Sequence, residues 1–528
     1  MKIPIKIIDL FAGPGGLSEG FAASKNNFKI AISIEKETSA HRTLLLRAFF
    51  RQFKEVPEEY YQFMRGELGS SPEEKLYKIA KFTKEFDAAN KEARQFTLGK
   101  DNEEIYQAIR ESINHDEDCI LIGGPPCQAY SLAGKARNLN NKAYKAEDDH
   151  RNFLYLEYLK VIAKFQPKIF VMENVKGMLS ARINNKPIFN VIKQDLKNPC
   201  EVVNIQPEGG REAFKYRIFS FVSSSEDIKD PREYIIHSEK FGIPQRRHRV
   251  ILLGLREDIA DNNTQSTQLI PSSKQIDIKS VIDDLPKLRS GLSKIENTTE
   301  NWLSTLINFD KKVLVELNKL DLPLISGHIQ SLQKQFTAHE HNQGKLHGIQ
   351  KKKQLSIESS LGLEKWFSDD RLNNYVVNHE TRGHLTTDLQ RYLFSSSWAV
   401  VAIKNNWKIR FPKSKQYPES LKPNHKNFDS GKFSDRFRVQ AEDIPATTIT
   451  SHISKDGHYF IHYDPLQCRS LTVREAARIQ TFPDNYFFVG TRTQQYVQVG
   501  NAVPPFLAKQ IAHVVYTIML KQPINKNR

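Results

Sequence analysis

The sequence predicts an α/β fold, a doubly wound and mostly parallel sheet, joined to a second, smaller domain and carrying a helical insertion. Three observations predict it. The chain opens with an apolar run, a glycine-rich turn and a helix-like stretch in immediate succession. Short apolar runs of strand length then recur, with an amphipathic segment between two of them. Finally, from about residue 270 this alternation gives way to a long polar stretch.

Taken in order, Ile3 to Asp9 is apolar and ends on a carboxylate, and Phe11-Ala12-Gly13-Pro14-Gly15-Gly16 forms a turn that leads into a helix through Phe21. A second strand, Phe28 to Glu35, ends in a carboxylate about twenty residues beyond the turn, the spacing at which nucleotide-binding α/β folds place a ribose ligand. The first unit is therefore βαβ. Further strands are expected at Cys119 to Gly123, Lys168 to Met172 and Arg249 to Gly254, with a helix at Phe153 to Phe165. His41 to about His115 is rich in Lys, Glu and Phe and poor in turn residues, which predicts helices inserted after the second strand. From Ile270 to Arg436, Ser, Asn, Lys and His dominate, which predicts a separate domain. The boundaries so read are 1–265 for the first domain, completed by 495–528, and 270–490 for the second.

A chain of 528 residues is too long for one compact core. With 39% hydrophobic and 26% charged residues it is globular rather than disordered. No apolar run is read as approaching the roughly 20 residues of a membrane helix, and Met1 to Leu10 lacks the apolar region and cleavage site of a signal peptide. The expectation is a soluble, cytoplasmic protein. Lys and Arg outnumber Asp and Glu by 77 to 61, giving +16, which favours a polyanionic partner without identifying it. Cys119, Cys127, Cys200 and Cys468 contain no CxxC pair and no zinc-ligand spacing, so neither a disulfide scaffold nor a metal is expected.

Four segments carry chemistry. The glycine turn lets backbone approach a ligand, and the helix after it offers N–H groups to an anion. Ser18 stands where GxGxxG needs its third glycine, which argues against a dinucleotide. Gly123-Gly124-Pro125-Pro126-Cys127-Gln128 follows a strand directly, and its prolines stiffen a loop that presents one thiol. A lone cysteine is usually a buried structural residue, but that reading poorly explains a Pro-Pro-Cys loop. Glu173-Asn174-Val175 ends the Lys168 strand and brings a carboxylate to the same edge of the sheet. Pro244-Gln245-Arg246-Arg247-His248-Arg249 precedes another strand, whose alternation sends Arg247 and Arg249 to one side.

In this order, each beside a strand, these motifs resemble the DNA cytosine-5 methyltransferases, in particular the prokaryotic modification enzymes of type II restriction-modification systems. The resemblance continues in Arg469-Ser470-Leu471-Thr472-Val473-Arg474-Glu475-Ala476-Ala477-Arg478-Ile479-Gln480-Thr481-Phe482-Pro483 and in Gln498-Val499-Gly500-Asn501-Ala502-Val503-Pro504-Pro505. It implies a Rossmann-like catalytic domain, S-adenosyl-L-methionine as cofactor and double-stranded DNA as partner, bound by a monomer. Its implied catalytic residues are Cys127, Glu173, Arg247 and Arg249. Its implied cofactor contacts are Phe11, Gly13, Gly15, Gly16, Glu35, Asp101, Pro126, Asn501 and Val503. The second domain would recognise the target, and a restriction endonuclease would be the functional partner. Thr472-x-x-Glu475 reads as a capping box, so its block packs the second domain, with arginines free to touch phosphates. Pro504 and Pro505 open a last helix, Phe506 to Leu520.

Three other readings stay open at this stage. An RNA-acting cytosine-5 methyltransferase shares the catalytic set, although its branch is generally compact and carries a Cys-Phe-Thr signature absent here. A catalytically silent DNA-binding member would not need the intact Cys127, Glu173, Arg247 and Arg249. A dehydrogenase accounts for the first fifty residues and leaves the later motifs unexplained.

Overall fold

The structure is a computed structural model, which describes residues 4–24, 26–113, 118–126, 154–183, 186–225, 227–260, 267–309, 311–336, 343–350, 362–372, 374–424, 428 and 436–520. Two compact units divide the chain. The first comprises Met1–Pro57, Tyr77–Lys274 and Ala502–Arg528, and the second Glu58–Leu76 and Gln275–Asn501.

The first unit is built on an eight-stranded sheet: β1 (Ile5–Leu10), β2 (Phe28–Glu35), β3 (Ala93–Gln95), β4 (Cys119–Gly123), β5 (Ile169–Val175), β6 (Tyr216–Ser220), β7 (Ile235–His237) and β8 (His248–Arg256). The order is β3-β2-β1-β4-β5-β8-β6, with β7 also paired to β8. From β3 to β5 all pairs are parallel, whereas β8 runs antiparallel to β5, β6 and β7. The fully buried β4, and the buried part of β1 from Ile7 to Leu10, are what a sheet covered on both faces requires. Ile8, Leu10, Leu121 and Phe170 share one core with α3 (Asn102–Ser112) and α4 (Leu154–Phe165). Helices α1 (Gly16–Ala22), α2 (Thr38–Arg51) and α5 (Pro505–Leu520) also belong to this unit.

The stretch expected to be a helical insertion contains β3, which hydrogen-bonds along β2 from Ser33↔Ala93 to Glu35↔Gln95. Ala-Arg-Gln is too short and polar to announce a strand, and an edge position lets it pair with one neighbour only. Within the same stretch, Glu58–Leu76 belongs to the second unit. There the Tyr61 hydroxyl donates to Asp369 Oδ2 at 2.9 Å, and Phe63 packs edge-on against Phe487.

The second unit also runs further than residue 490. Its helix Arg492–Asn501 approaches the turn at Ser451–Ser454 so closely that a Cβ on Gly500 would lie 2.3 Å from Ser451 N, and Gln480 Nε2 donates to Val499 O at 2.7 Å. The capping box at Thr472 has both arms in place. Its arginines are not phosphate contacts, because Arg469, Arg474 and Arg478 are at most 1% exposed. Arg469 is bidentate to Glu475, Arg478 is shared by Asp284 and Asp484, and Arg474 gives its guanidinium to the carbonyls of Val377, Pro483 and Tyr486. Each cation is therefore spent inside the unit, where burial without partners would cost several kcal/mol.

One stretch, Arg492–Leu520, is long and apolar enough to cross a membrane, contrary to the sequence expectation, and 61% of its most apolar window is buried. The reason is packing: α5 crosses α1 at Gly20, where an added Cβ would stand 2.4 Å from both Ala508 Cβ and Pro505 O. Gly20→Ala should therefore overpack this crossing and destabilise the protein by about 1–3 kcal/mol, read as a lower urea midpoint.

His379 gives the second unit a pH dependence. Its Nε2 donates to Pro286 O at 2.8 Å, so Nδ1 is the acceptor facing the Thr472 hydroxyl at 2.9 Å, and burial pushes the imidazole down to about 4. The unfolded chain takes up this proton near pH 6.5 while the folded chain refuses it until about pH 4. Stability is therefore expected to fall as pH drops from 6.5 towards 4, by up to about 3 kcal/mol from this group. Urea melts of His379→Gln across that window should show a weaker slope.

Candidate active site

The glycine turn at the carboxyl end of β1 is made by three left-handed residues, Phe11 (φ 56°), Gly13 (φ 57°) and Gly15 (φ 94°). For the half-buried Phe11 this conformation costs about 1–3 kcal/mol, a strain typical of functional turns. Glu35, ending β2, holds the turn: its Oε2 accepts the Gly13 N–H and its Oε1 the Glu37 N–H, both at 2.8 Å. Gly15 N donates to Ala12 O at 3.0 Å. The N–H groups of Gly13 and Gly15 thus serve the turn itself. A Cβ on Gly13 would meet nothing within 4 Å, so the turn faces open space, whereas one on Gly16 would lie 2.3 Å from Val503 O. Gly16 is accordingly where the returning C-terminal segment passes the turn. The Glu35 carboxyl is pushed up by burial against the pull of its N–H donors. Beneath the turn, burial raises the Asp9 carboxyl to about 7, opposed by the Ser18 hydroxyl. In the sequence Asp9 marks only the end of a strand, although a carboxylate flanked by Ile8 and Leu10 is itself a sign of a buried acid.

At the same edge of the sheet, β4 runs out through Gly123, Gly124, Pro125 and the half-buried Pro126. A Cβ on Gly124 would sit 3.1 Å from Glu173 Oε2, so the missing side chain leaves room for that carboxylate. Asn174 Nδ2 donates to Pro125 O at 3.2 Å and ties this segment to the end of β5. Glu173 forms an ion pair with Arg249, Oε1 to Nε 2.9 Å, with 13% and 15% of the two side chains exposed. Arg249 Nη1 also donates to His248 O at 3.0 Å. Arg247 is 2% exposed, and its backbone N–H donates to Ser238 Oγ at 2.9 Å. Burial lowers both guanidinium groups. Arg249 lowers Arg247 further, and Glu173 opposes the shift in each.

The other sequence-chosen residues divide as follows. Asp101 caps the loop after β3, its Oδ2 accepting the Thr97 N–H at 2.8 Å. Val503 reaches the glycine turn through its carbonyl. Asn501 is exposed and ends the last helix of the second unit. Cys127 lies outside the described residues. The structure therefore brings Phe11, Gly13, Gly15, Gly16, Glu35 and Val503 together in one cluster. Pro126, Glu173 and Arg249 belong to a second, on the carboxyl ends of β4 and β5.

A mostly parallel sheet carrying an antiparallel β8, with a glycine turn and a carboxylate–guanidinium pair on its carboxyl edge, is a Rossmann-like α/β fold of the kind methyltransferases use. The chain matches the family profile described as C-5 cytosine-specific DNA methylase over residues 78–199 and 232–517, and it belongs to that family. It is 32% identical to the type II methyltransferase M.Bpa9945I of Bacillus paralicheniformis, over 97% of this chain and 99% of that one. The type II methyltransferase M1.HphI of Haemophilus parahaemolyticus is 26% identical over 96% of this chain and 86% of its own length. Among solved structures, an E. coli prophage-encoded chain described as a DNA modification methyltransferase superposes with a TM-score of 0.53 at 17% identity, covering 98% and 99% of the two chains. That last likeness supports the fold.

Proposed function

We propose that this DNA (cytosine-5-)-methyltransferase methylates cytosine within one short duplex sequence as the cytoplasmic modification partner of a type II restriction endonuclease. We further propose that it acts through Cys127, Glu173, Arg247 and Arg249. The observation that carries the site assignment is the Glu173–Arg249 ion pair beside Gly124, on the loop that leads to Cys127. S-adenosyl-L-methionine fits the glycine turn, which is open at Gly13 and bounded by the Glu35 carboxylate; when bound, it supplies a methyl group on an already activated sulfonium.

In this reading the target base is rotated out of the duplex, because neither C5 nor C6 is accessible in a stack. The Cys127 thiolate adds to C6, which makes C5 nucleophilic. Glu173 faces the Watson–Crick edge, donates a proton or hydrogen bond to N3 and accepts from the exocyclic amine, so charge developing on the ring is neutralised. Arg249 holds O2 and orients Glu173, while Arg247 supports the pocket, and both add positive potential that favours the thiolate. Once C5 carries the methyl group, a water takes the C5 proton, the C5–C6 double bond re-forms and Cys127 leaves as thiolate. The second unit reads the target sequence, and Glu35 holds the ribose hydroxyls of the cofactor beside its bonds to the turn.

The decisive experiment is tritiated-methyl transfer to unmodified genomic DNA, followed by methylation-sensitive sequencing. Methyl groups on carbon 5 of cytosines in one short motif are expected; transfer to RNA alone, or to neither polymer, overturns the proposal. Cys127→Ser should reduce transfer by at least about a thousandfold while cofactor affinity stays within about twofold. Glu35→Gln should weaken cofactor binding by about tenfold, the worth of one charge-assisted hydrogen bond, with a smaller effect on the rate at saturating cofactor. Isothermal titration alongside initial rates checks both.

A further inference from the structure

The antiparallel pairing of β7 with β8 sets His237 directly opposite His248, their ring centroids 4.1 Å apart. Glu239 joins them, its Oε1 lying 2.9 Å from His248 Nε2 and 3.9 Å from His237 Nδ1, and one ligand atom from each residue falls within 4.8 Å of the others. A tetrahedral ion with bonds of about 2.0–2.1 Å keeps its ligand atoms roughly 3.3–3.4 Å apart, so small side-chain rotations suffice to close this triad on a metal.

The backbone holding the three is rigid. Ser238, fully buried between two of them, donates its hydroxyl to Gln245 O at 2.7 Å and accepts the Arg247 N–H at 2.9 Å, and Gly242 (φ 74°) ends the short turn that carries Glu239. The second oxygen of Glu239, a residue only 8% exposed, is buried with no hydrogen-bond partner among the described residues. An unsatisfied buried carboxylate oxygen costs about 1–3 kcal/mol or more, a penalty that a cation shared with two imidazoles removes. The His237 side chain is 37% exposed and His248 28%, which leaves an entry path and room for a water ligand.

We propose that His237, Glu239 and His248 form a binding site for one Zn²⁺-class divalent ion. Two imidazoles and one carboxylate suit Zn²⁺ or Co²⁺ and not the all-oxygen preference of Mg²⁺. Three protein ligands leave an open position, so the ion is exchangeable. Because His248 pairs with His237 across the two strands, the ion ties the start of β8 to the end of β7. This site is separate from the proposed methyl-transfer chemistry, and its failure would leave that chemistry untouched.

The test uses the full-length protein without an affinity tag, stripped of metal and titrated with Co²⁺ alone. One equivalent should produce visible d–d absorption without the near-ultraviolet thiolate charge-transfer band that any of the four cysteines would give, and should raise the melting temperature. His237→Ala, at the most exposed ligand, should weaken Co²⁺ binding at least tenfold and abolish the melting shift, while methyl transfer by the metal-free variant stays at the wild-type rate, which controls for folding. Glu239→Gln should weaken binding similarly. No d–d band in the wild type, or the same affinity in His237→Ala, overturns the proposal.

Discussion

The site depends on the direction of one strand. Every ligand-facing segment after a parallel strand emerges at the carboxyl edge of the sheet, where β1, β2, β4 and β5 end. A motif that precedes a strand can reach that same edge only if the strand runs the other way. β8 does so: its pairing with β5 sets Ile251 opposite Glu173 and Arg249 opposite Val175. This diagonal offset, within reach of long side chains, brings the guanidinium to the carboxylate. With both partners largely buried, either one alone would be an uncompensated charge, so register, ion pair and pocket polarity stand or fall together.

Close backbone approach is the second constraint. Gly16 lets the Val503 carbonyl pass the turn, and Gly20 lets α5 seat directly on α1. The last segment of the chain is thereby built into the first unit, next to its opening turn. The apolar face of α5 that seats there gives the segment its membrane-like composition, with Phe506, Leu507, Ile511, Val515 and Ile518 buried. In the second unit the organising groups are buried cations. Arg469, Arg474 and Arg478 use two kinds of acceptor, carboxylates and backbone carbonyls, to hold a unit whose described strands are each two residues long. A basic motif can thus be an internal scaffold, and the charge of such a block says nothing about phosphate contact until burial is known.

Much of the fold was legible because its signals are local. β2 and β4 were read to the residue, since an apolar run bounded by turn residues is a property of a few neighbours. The capping box at Thr472 and the final helix were legible for the same reason. β3 was not, because Ala93-Arg94-Gln95 carries no strand signal and exists only where β2 offers it an edge. The insertion as read also crossed a unit boundary, since Tyr61 and Phe63 find their partners some 300 or more positions away in sequence. The His237–Glu239–His248 triad was equally invisible: its spacing matches no metal motif, and its members meet through a strand register.

By itself, the sequence determined the fold class, the family resemblance, and the order in which glycine turn, Pro-Pro-Cys, Glu-Asn-Val and Gln-Arg-Arg-x-Arg occur, because each is written in contiguous residues. Only the tertiary structure decided which of those groups meet. It placed Arg249 on Glu173, committed the Gly13 N–H to Glu35, withdrew three arginines into the second unit and set two histidines opposite each other across a strand pair. Those outcomes rest on strand direction, register and burial, which arise from contacts between segments far apart in the chain and so are carried by no single stretch of it.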